Sequence, residues 1–292
     1  MEEKLFDGAF FAKLNTLKMG NKTKLTSGMS GGRKSTAKGN SVEFSDFREY
    51  MLGDDIRKID WNAYGRMNRL FIKLFQEEKE GMFRIFIDTS KSMEYGEHKK
   101  SILARRIAAM LSYIVLNNLD RIYVNEIGQE KLVQGKGMTG RQSFQKILLQ
   151  LENMTFEGSA NLYESIQKAK FVGRGTTIII SDFFDEEHVV ELVRFLAYKK
   201  QEVVFIQTLA EEEINPQLEG HLNLIDMEQK GDMKVTMSPA VFKTYEKTLH
   251  TFQEHLKEAV RKYQGSYLCV NTGESLDKFL FEAIRSGQLQ HL

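Results

Sequence analysis

From residue 81 onward, short and largely apolar segments alternate with longer segments of helical periodicity. Residues 82–87 and 176–181 have the length and composition of strands that are buried on both faces. Segments 99–119, 187–199 and 239–263 repeat apolar residues at helical spacing. Strands that alternate with helices predict an α/β fold with a doubly wound, mostly parallel sheet that helices cover on both faces.

The first eighty residues are less regular. Apolar residues at helical spacing predict a helix over roughly residues 4–18, and a basic, glycine-rich loop follows it. Residues 42–80 are mixed and contain a short strand-like piece at 70–75. We therefore expect two domains, a smaller N-terminal α+β module at 1–80 and a larger domain at 81–292.

Composition excludes several classes of protein. The longest apolar run, Ile107 to Leu111, is far too short to cross a membrane. The single cysteine, Cys269, cannot form an internal disulfide, and the sequence Met1-Glu2-Glu3-Lys4 does not start a signal peptide. We therefore expect a cytoplasmic protein with no membrane span.

The charges are sorted by segment, although the formal net charge is only +1. Residues 13–40 carry seven basic side chains and no acid. An alternative function follows from this loop, namely binding of nucleic acid or another anionic surface. The nearly balanced net charge does not favour nucleic acid. The candidate anion-binding residues are Lys22, Lys24, Arg33, Lys34 and Lys38.

Oxygen-bearing side chains follow two of the predicted buried strands. Asp88, Ser90 and Ser92 occupy alternate positions after the first strand, and Asp182 follows the second. Ligands in such sheets bind beyond the carboxyl ends of the strands, and carboxylates with hydroxyls suit Mg²⁺ or Mn²⁺. The alternative is that the serine-rich loop only caps the next helix.

A catalytic use of the same loop is a weaker interpretation. Asp88 at a strand end resembles the nucleophile of haloacid-dehalogenase-type phosphohydrolases, which place a general acid two residues later. Ser90 stands there and cannot serve as that acid. The six histidines show no metal-binding spacing. We therefore predict no catalytic residue and no enzymatic activity.

Residues 43–61 carry a dense motif of the form E-F-x-x-x-R-x-Y-x-x-G-D-D-x-R-x-I-D-W. This motif resembles the signature of the bacterial domain-of-unknown-function fifty-eight family, and the resemblance covers nearly the whole chain. The signature residues are Glu43, Phe44, Arg48, Tyr50, Gly53, Asp54, Asp55, Arg57, Asp60, Trp61 and, shortly after it, Arg66.

The resemblance implies a von Willebrand A-like, Rossmann-type domain from about residue 81. It implies a non-enzymatic interaction protein that works with a MoxR-type AAA+ ATPase in chaperone-like assembly or maturation of client proteins. It also implies a metal-ion-dependent adhesion site, in which Asp88, Ser90 and Ser92 match the first loop and Asp182 the third. In the second loop Ala160 replaces the usual threonine, which makes the site degenerate.

The signature also has a structural interpretation, which we favour. Asp46 with Arg48, Asp54 and Asp55 with Arg57, and Asp60 with Arg66 have a spacing that would suit a buried network of ion pairs. Such a network would fix the two domains against each other, with Trp61 and Tyr64 packed at the seam. Breaking a buried pair costs about 3–5 kcal/mol.

Overall fold

A computed structural model of the chain describes residues 5–8, 10–12, 14, 42–77, 80–128, 131–184, 187–216, 220–225, 232–276 and 279. Contacts group the described residues of Met1–Gly20 and Gly81–Leu292 into one compact unit, which we call the larger unit. Those of Asn21–Glu80 form a second, which we call the signature unit. Along the chain, the signature unit is therefore an insertion into the larger unit. No helix in the described ranges is long and apolar enough to span a membrane.

The signature unit is an antiparallel strand pair with a short helix in its connection. Its elements are, in chain order, β1 (Val42–Glu49), a 3-10 helix (Ile56–Lys58), α1 (Trp61–Met67) and β2 (Phe71–Glu77). Ile59 bridges to Ile72, and both side chains are buried, as is Ala63 on α1. The unit buries few apolar residues that the structure describes, so its hydrophobic stabilisation is small.

The larger unit alternates strands and helices. Its strands are β3 (Met82–Asp88), β4 (Arg121–Gly128), β5 (Lys131–Val133), β6 (Gly175–Ser181), β7 (Gln201–Leu209), β8 (Gly220–Ile225), β9 (Asp232–Met237) and β10 (Ser266–Asn271). Its α-helices are α2 (Lys100–Asn117), α3 (Phe144–Glu152), α4 (Leu162–Gln167), α5 (Val189–Tyr198), α6 (Glu211–Ile214) and α7 (Pro239–Arg261). Two 3-10 helices span Lys91–Glu94 and Arg141–Ser143.

The main sheet has the strand order β10-β7-β6-β3-β4-β5. All neighbours pair in parallel except β5, which is antiparallel to β4. The first strand of this sheet along the chain is β3, in its middle. The chain then adds β4 and β5 on one side of β3, and afterwards β6, β7 and β10 on the other side. This Rossmann-type order reverses between β3 and β6. The predicted doubly wound, mostly parallel sheet is therefore confirmed.

Side chains of β3 alternate between two separate cores. Phe83, Ile85 and Ile87 belong to a hydrophobic cluster that includes the buried residues of α2 and α3. Phe86 points into a second cluster, which includes the buried residues of α5 and α7. Burial of each such side chain contributes about 1.5–3 kcal/mol. Both faces of the sheet are therefore covered, as the apolar composition of its strands predicted.

Several smaller elements differ from the sequence-based expectation. Strand β5, the antiparallel hairpin of β8 and β9, and the single turn of α6 were not predicted. They are short, so even the alternation of polar and apolar residues in β9 extends over only six residues. A closing helix predicted at 275–286 lies mostly outside the described residues.

Two residues near the N-terminus belong to the larger unit. Phe10 and Leu14 are buried in the same cluster as the β3 side chains Phe83 and Ile85. This differs from the expected module at 1–80, because two large apolar side chains find more surface to bury against the main sheet's helices than in the small signature unit.

Candidate functional site

The candidate site lies at the carboxyl ends of β3 and β6, where the strand order reverses. Asp88 is the last residue of β3, and Asp182 directly follows β6. Because β3 and β6 are parallel neighbours, their ends lie side by side. We call the side chains gathered there the polar edge; they include Asp88, Ser90, Ser92, Ser181 and Asp182.

Asp88 is buried and both of its carboxylate oxygens accept hydrogen bonds. The Ser90 main-chain N–H donates to Oδ1 at 2.9 Å, and the Ser181 hydroxyl donates to Oδ2 at 2.5 Å. Thr89 in turn donates from Oγ1 to the Ile127 carbonyl at 2.9 Å. These bonds hold the start of the loop rigidly against β4 and β6.

Ser90, Ser92 and Asp182 form a hydrogen-bonded row. The Oγ atoms of Ser90 and Ser92 lie 3.0 Å apart, and Ser92 Oγ donates to Asp182 Oδ2 at 2.9 Å. The other carboxylate oxygen of Asp182 accepts from the Phe184 main-chain N–H at 3.2 Å. The structure therefore brings together all four residues that the sequence singled out as candidate metal ligands.

The second loop approaches the first through its main chain. The Lys91 N–H donates to the Gly158 carbonyl at 2.8 Å, and the Glu157 N–H to the Thr89 carbonyl at 2.9 Å. Ala160 contributes only a methyl group, which packs against the hydrophobic cluster of Phe86. The loop is thus close to the polar edge but supplies no hydroxyl at the alanine.

Lys100 is the residue of the polar edge that sequence reasoning missed. It begins α2, its side chain is fully buried, and its Nζ lies 2.7 Å from both Asp182 Oδ2 and Glu213 Oε1. Residues three, four and seven positions later, Leu103, Ala104 and Ile107, are buried as well. That spacing places Lys100 on the buried face of the helix, and it was the available signal.

Burial and these contacts shift the pKa of three groups. Burial, together with the charge of Asp182, raises the pKa of Asp88 to about 6, against the hydrogen bonds from Ser181 and Ser90. Burial alone would lower the pKa of Lys100, but the carboxylates of Asp182 and Glu213 outweigh it and raise that pKa. Burial raises the pKa of Glu213, although Lys100 opposes this. Lys100 therefore remains charged at neutral pH.

The donor chemistry of the polar edge suits Mg²⁺, but the buried ammonium group of Lys100 competes with a metal ion for one of its carboxylates. Two carboxylates and two hydroxyls are oxygen ligands of the right kind. An ammonium group already binds Asp182 Oδ2, the same oxygen that accepts from Ser92. Two unit charges 4 Å apart interact by about 4 kcal/mol at an effective dielectric constant near 20, and a divalent ion doubles this repulsion. A divalent ion on this oxygen would meet the ammonium group of Lys100 directly, and the predicted Mg²⁺ or Mn²⁺ stays a prediction.

The family signature extends from β1 through the following loop to α1 of the signature unit. Glu43 and Phe44 lie on β1, and their side chains are outside the described part of the structure. Gly53 adopts a φ of +106° in a turn, a conformation that favours glycine. Asp60 begins α1 and its carboxylate accepts from the Asn62 and Ala63 N–H groups at 2.9 and 3.2 Å. Arg48 lies on β1. The remaining signature residues follow between the end of β1 and the end of α1; they are Tyr50, Asp54, Asp55, Arg57, Trp61 and Arg66.

The two signature ion pairs that the structure describes are accessible to water, so these two pairs do not form the buried network that the spacing suggested. Arg48 pairs with Asp54 at 2.8 Å, and their side chains are 42% and 24% exposed. Arg57 pairs with Asp55 at 3.1 Å, and their side chains are 88% and 38% exposed. Asp60 caps α1, and the side chain of Asp46 is not described. Exposed pairs contribute little to stability. The side chains of Trp61 and Tyr64 are 64% and 41% exposed.

The basic loop lies outside the described residues. Lys22, Lys24, Arg33, Lys34 and Lys38 all fall within 15–41, which the structure does not describe. Anion binding by this loop stays a prediction.

Comparison with known proteins identifies a family of unknown function. The family described as "Protein of unknown function DUF58" matches residues 46–255. An uncharacterized protein of Mycobacterium bovis and one of Mycobacterium tuberculosis are each 22% identical over 273 residues, covering 91% of this chain and 86% of their own. The match to the family, over residues 46–255, extends from β1 into α7 and so includes parts of both units.

Solved structures are similar at low identity. One of them is the conserved hypothetical protein BatB from Bacteroides thetaiotaomicron, which is 16% identical in sequence and has a TM-score of 0.44. The superposition covers 70% of this chain and 98% of the BatB chain. The VWA domain of SpRpn10 is 11% identical, covers 72% and 98%, and has a TM-score of 0.42.

Proposed function

Because the chain belongs to the DUF58 family of proteins of unknown function, we propose that it is a non-enzymatic interaction protein that docks an ATPase through its signature unit. One observation carries this proposal, the exposure of large apolar side chains within the family signature and just after it. We call this set the signature surface; it consists of Met51, Leu52, Ile56, Trp61, Tyr64 and Met67.

Exposure of these side chains to water is unfavourable unless a partner covers them. Trp61 is 64% exposed and Leu52 is fully exposed. Tryptophan, tyrosine, methionine and arginine are enriched in protein interfaces, and tryptophan and tyrosine often dominate their energetics. The exposed pair of Arg48 and Asp54 would supply polar contacts beside the apolar ones. A protein partner of mixed apolar and charged surface therefore suits this unit.

The family resemblance favours a MoxR-type AAA+ ATPase as that partner, acting on a client protein in assembly or maturation. The polar edge supports the non-enzymatic part of the proposal. Both oxygens of Asp88 are hydrogen bonded, and Lys100 pairs with Asp182. A carboxylate that is buried and held in this way is a poor nucleophile for phosphoryl transfer.

Binding to the MoxR-type ATPase of the same organism tests the proposal. The purified full chain is titrated with the ATPase in the presence of nucleotide, and the affinity is measured by biolayer interferometry. We expect Trp61→Ala and Leu52→Asp each to weaken binding by roughly tenfold or more, because each removes or opposes an apolar contact at the centre of an interface.

Tyr198→Ala is the matched control, because Tyr198 is an aromatic residue of the larger unit that is 80% exposed, more than Trp61. We expect this variant to bind as the wild type does. Absence of ATPase binding by the wild-type chain would refute the partner. Equal binding by Trp61→Ala, Leu52→Asp and the wild type would refute the signature surface as the docking site.

A further inference from the structure

The ammonium group of Lys100 is enclosed by groups that suit a cation. Its Nζ contacts Asp182 Oδ2 and Glu213 Oε1 at 2.7 Å each. The rings of Phe184 and Tyr95 lie nearby, with centroids 5.4 and 5.9 Å from Nζ. A lysine head group without any solvent exposure needs such partners, because an unpaired buried charge is strongly unfavourable.

The same ammonium group is connected to the serines of the first loop. Asp182 Oδ2 accepts from both Lys100 Nζ and Ser92 Oγ, and Ser92 lies 3.0 Å from Ser90 Oγ. Lys100 begins α2 and Glu213 lies on α6. One positive charge therefore joins the ends of β3 and β6 to two helices.

Lys100 stands where the positive charge of the polar edge is needed. Asp182 lies at the strand-order reversal, and a divalent ion bound to its Oδ2 would share that oxygen with the ammonium. The second loop presents the methyl group of Ala160 rather than a hydroxyl, so it offers no compensating side-chain ligand at that position. Both observations favour an internal cation over an external one.

We propose that Lys100 is the resident cation of the polar edge, which makes assembly of this edge independent of divalent metal ions. The ammonium neutralises Asp182 and Glu213 and orients Asp182 toward Ser92. Mg²⁺ and Mn²⁺ are excluded while it is in place. This inference does not depend on docking at the signature surface.

The wild-type chain gives the first test. We expect its thermal unfolding midpoint to be the same in a chelator and in millimolar Mg²⁺ or Mn²⁺. A Mn²⁺ titration is followed by electron paramagnetic resonance for the wild type and for Asp88→Ala. We expect the two proteins to give the same result, with no Mn²⁺ binding that depends on Asp88. Mn²⁺ binding by the wild type that is lost in Asp88→Ala would overturn the proposal.

Replacement of the lysine gives the second test. In chelator, Lys100→Met should lower the unfolding midpoint by about 10 °C, because it leaves the buried carboxylate of Asp182 and the partly buried one of Glu213 without their counter-charge. Millimolar Mn²⁺ should restore part of this loss. Lys99→Met is the matched control, because Lys99 is the preceding residue and its side chain is 50% exposed in a surface pair with Glu94. An equal effect of the two substitutions would contradict the proposal.

A variant without these charges separates the effect of the charge of Lys100 from the effect of its packing. This test can be made even if Lys100→Met does not fold. The triple variant Lys100→Met, Asp182→Asn, Glu213→Gln removes the cation together with both carboxylate charges. We expect it to fold and to unfold at a higher midpoint than Lys100→Met, without any response to Mn²⁺. A triple variant no more stable than Lys100→Met would mean that Lys100 acts through its packing, and the proposal would fail.

Discussion

Cys269 on β10 illustrates how burial changes the chemistry of a single side chain. Burial raises the pKa of its thiol from the ordinary 9.0 to about 11, against the hydrogen bonds that Tyr267 and Gln253 provide. A raised pKa means less thiolate at any pH below it, and the thiolate is the reactive form. The partly buried thiol of Cys269 is therefore poorly suited to nucleophilic chemistry.

This predicts slow alkylation of the folded protein. At pH 8 a shift of this size lowers the thiolate fraction about 100-fold, so iodoacetamide should react about 100-fold more slowly in buffer than in denaturant. Because the chain has one cysteine, the mass of the intact protein reports this residue alone. Equal rates in buffer and in denaturant would contradict the prediction.

At the scale of residues, the positions of the polar edge were easier to predict than its electrostatics. Asp88 and Asp182 follow buried strands, and parallel strands bring such positions together. Lys100 was missed because a lysine on a helix usually extends its head group into water. The contacts with Asp182 and Glu213, which lie 82 and 113 residues away in the sequence, make its burial favourable, and no local pattern shows those contacts.

Helix α1 depends on a single capping side chain. The carboxylate of Asp60 accepts two N–H groups of the first turn, which have no partner within the helix. We expect Asp60→Ala to destabilise the signature unit by about 1 kcal/mol, and Asp60→Asn to retain most of that stability because its amide oxygen can accept the same bonds.

The fluorescence of Trp61 measures this effect, because Trp61 is the sole tryptophan of the chain and lies on α1. Urea titration of the full chain should give a lower midpoint for Asp60→Ala than for the wild type. Indistinguishable midpoints would mean that the cap contributes nothing to α1.

At the scale of elements, the strands and long helices of the larger unit were predicted because their apolar residues are numerous and regularly spaced. β3 and β6 are buried throughout, apart from Met82 and Gly175 at their starts. The hairpin of β8 and β9 was missed although apolar residues alternate with polar ones in both strands, because each strand has only six residues. The exposure of the signature's ion pairs was missed because spacing indicates which charges can meet, but not whether water reaches them.

At the scale of the whole molecule, the first residues of the chain complete a core that is otherwise built from residues far along the sequence. Phe10 and Leu14 pack in one cluster with Leu276 and Phe279. We expect Phe10→Ala to lower the free energy of unfolding of the larger unit by about 3–5 kcal/mol, because it opens a cavity in that core.

The neighbouring residue provides the control. Phe11 is 40% exposed, so Phe11→Ala should cost less than about 1 kcal/mol. Guanidinium titration followed by far-ultraviolet circular dichroism compares the two variants with the wild type. Equal destabilisation by both would show that residue 10 does not belong to the core.

The insertion of the signature unit into the larger one has a mechanical consequence. A pulling force applied at the two ends of the chain passes through the larger unit, whose core holds Phe10 on one side of the insertion and β3 on the other. While that core is intact, the segment between residues 20 and 81 carries no tension. We therefore expect the signature unit to remain folded under load until the larger unit yields.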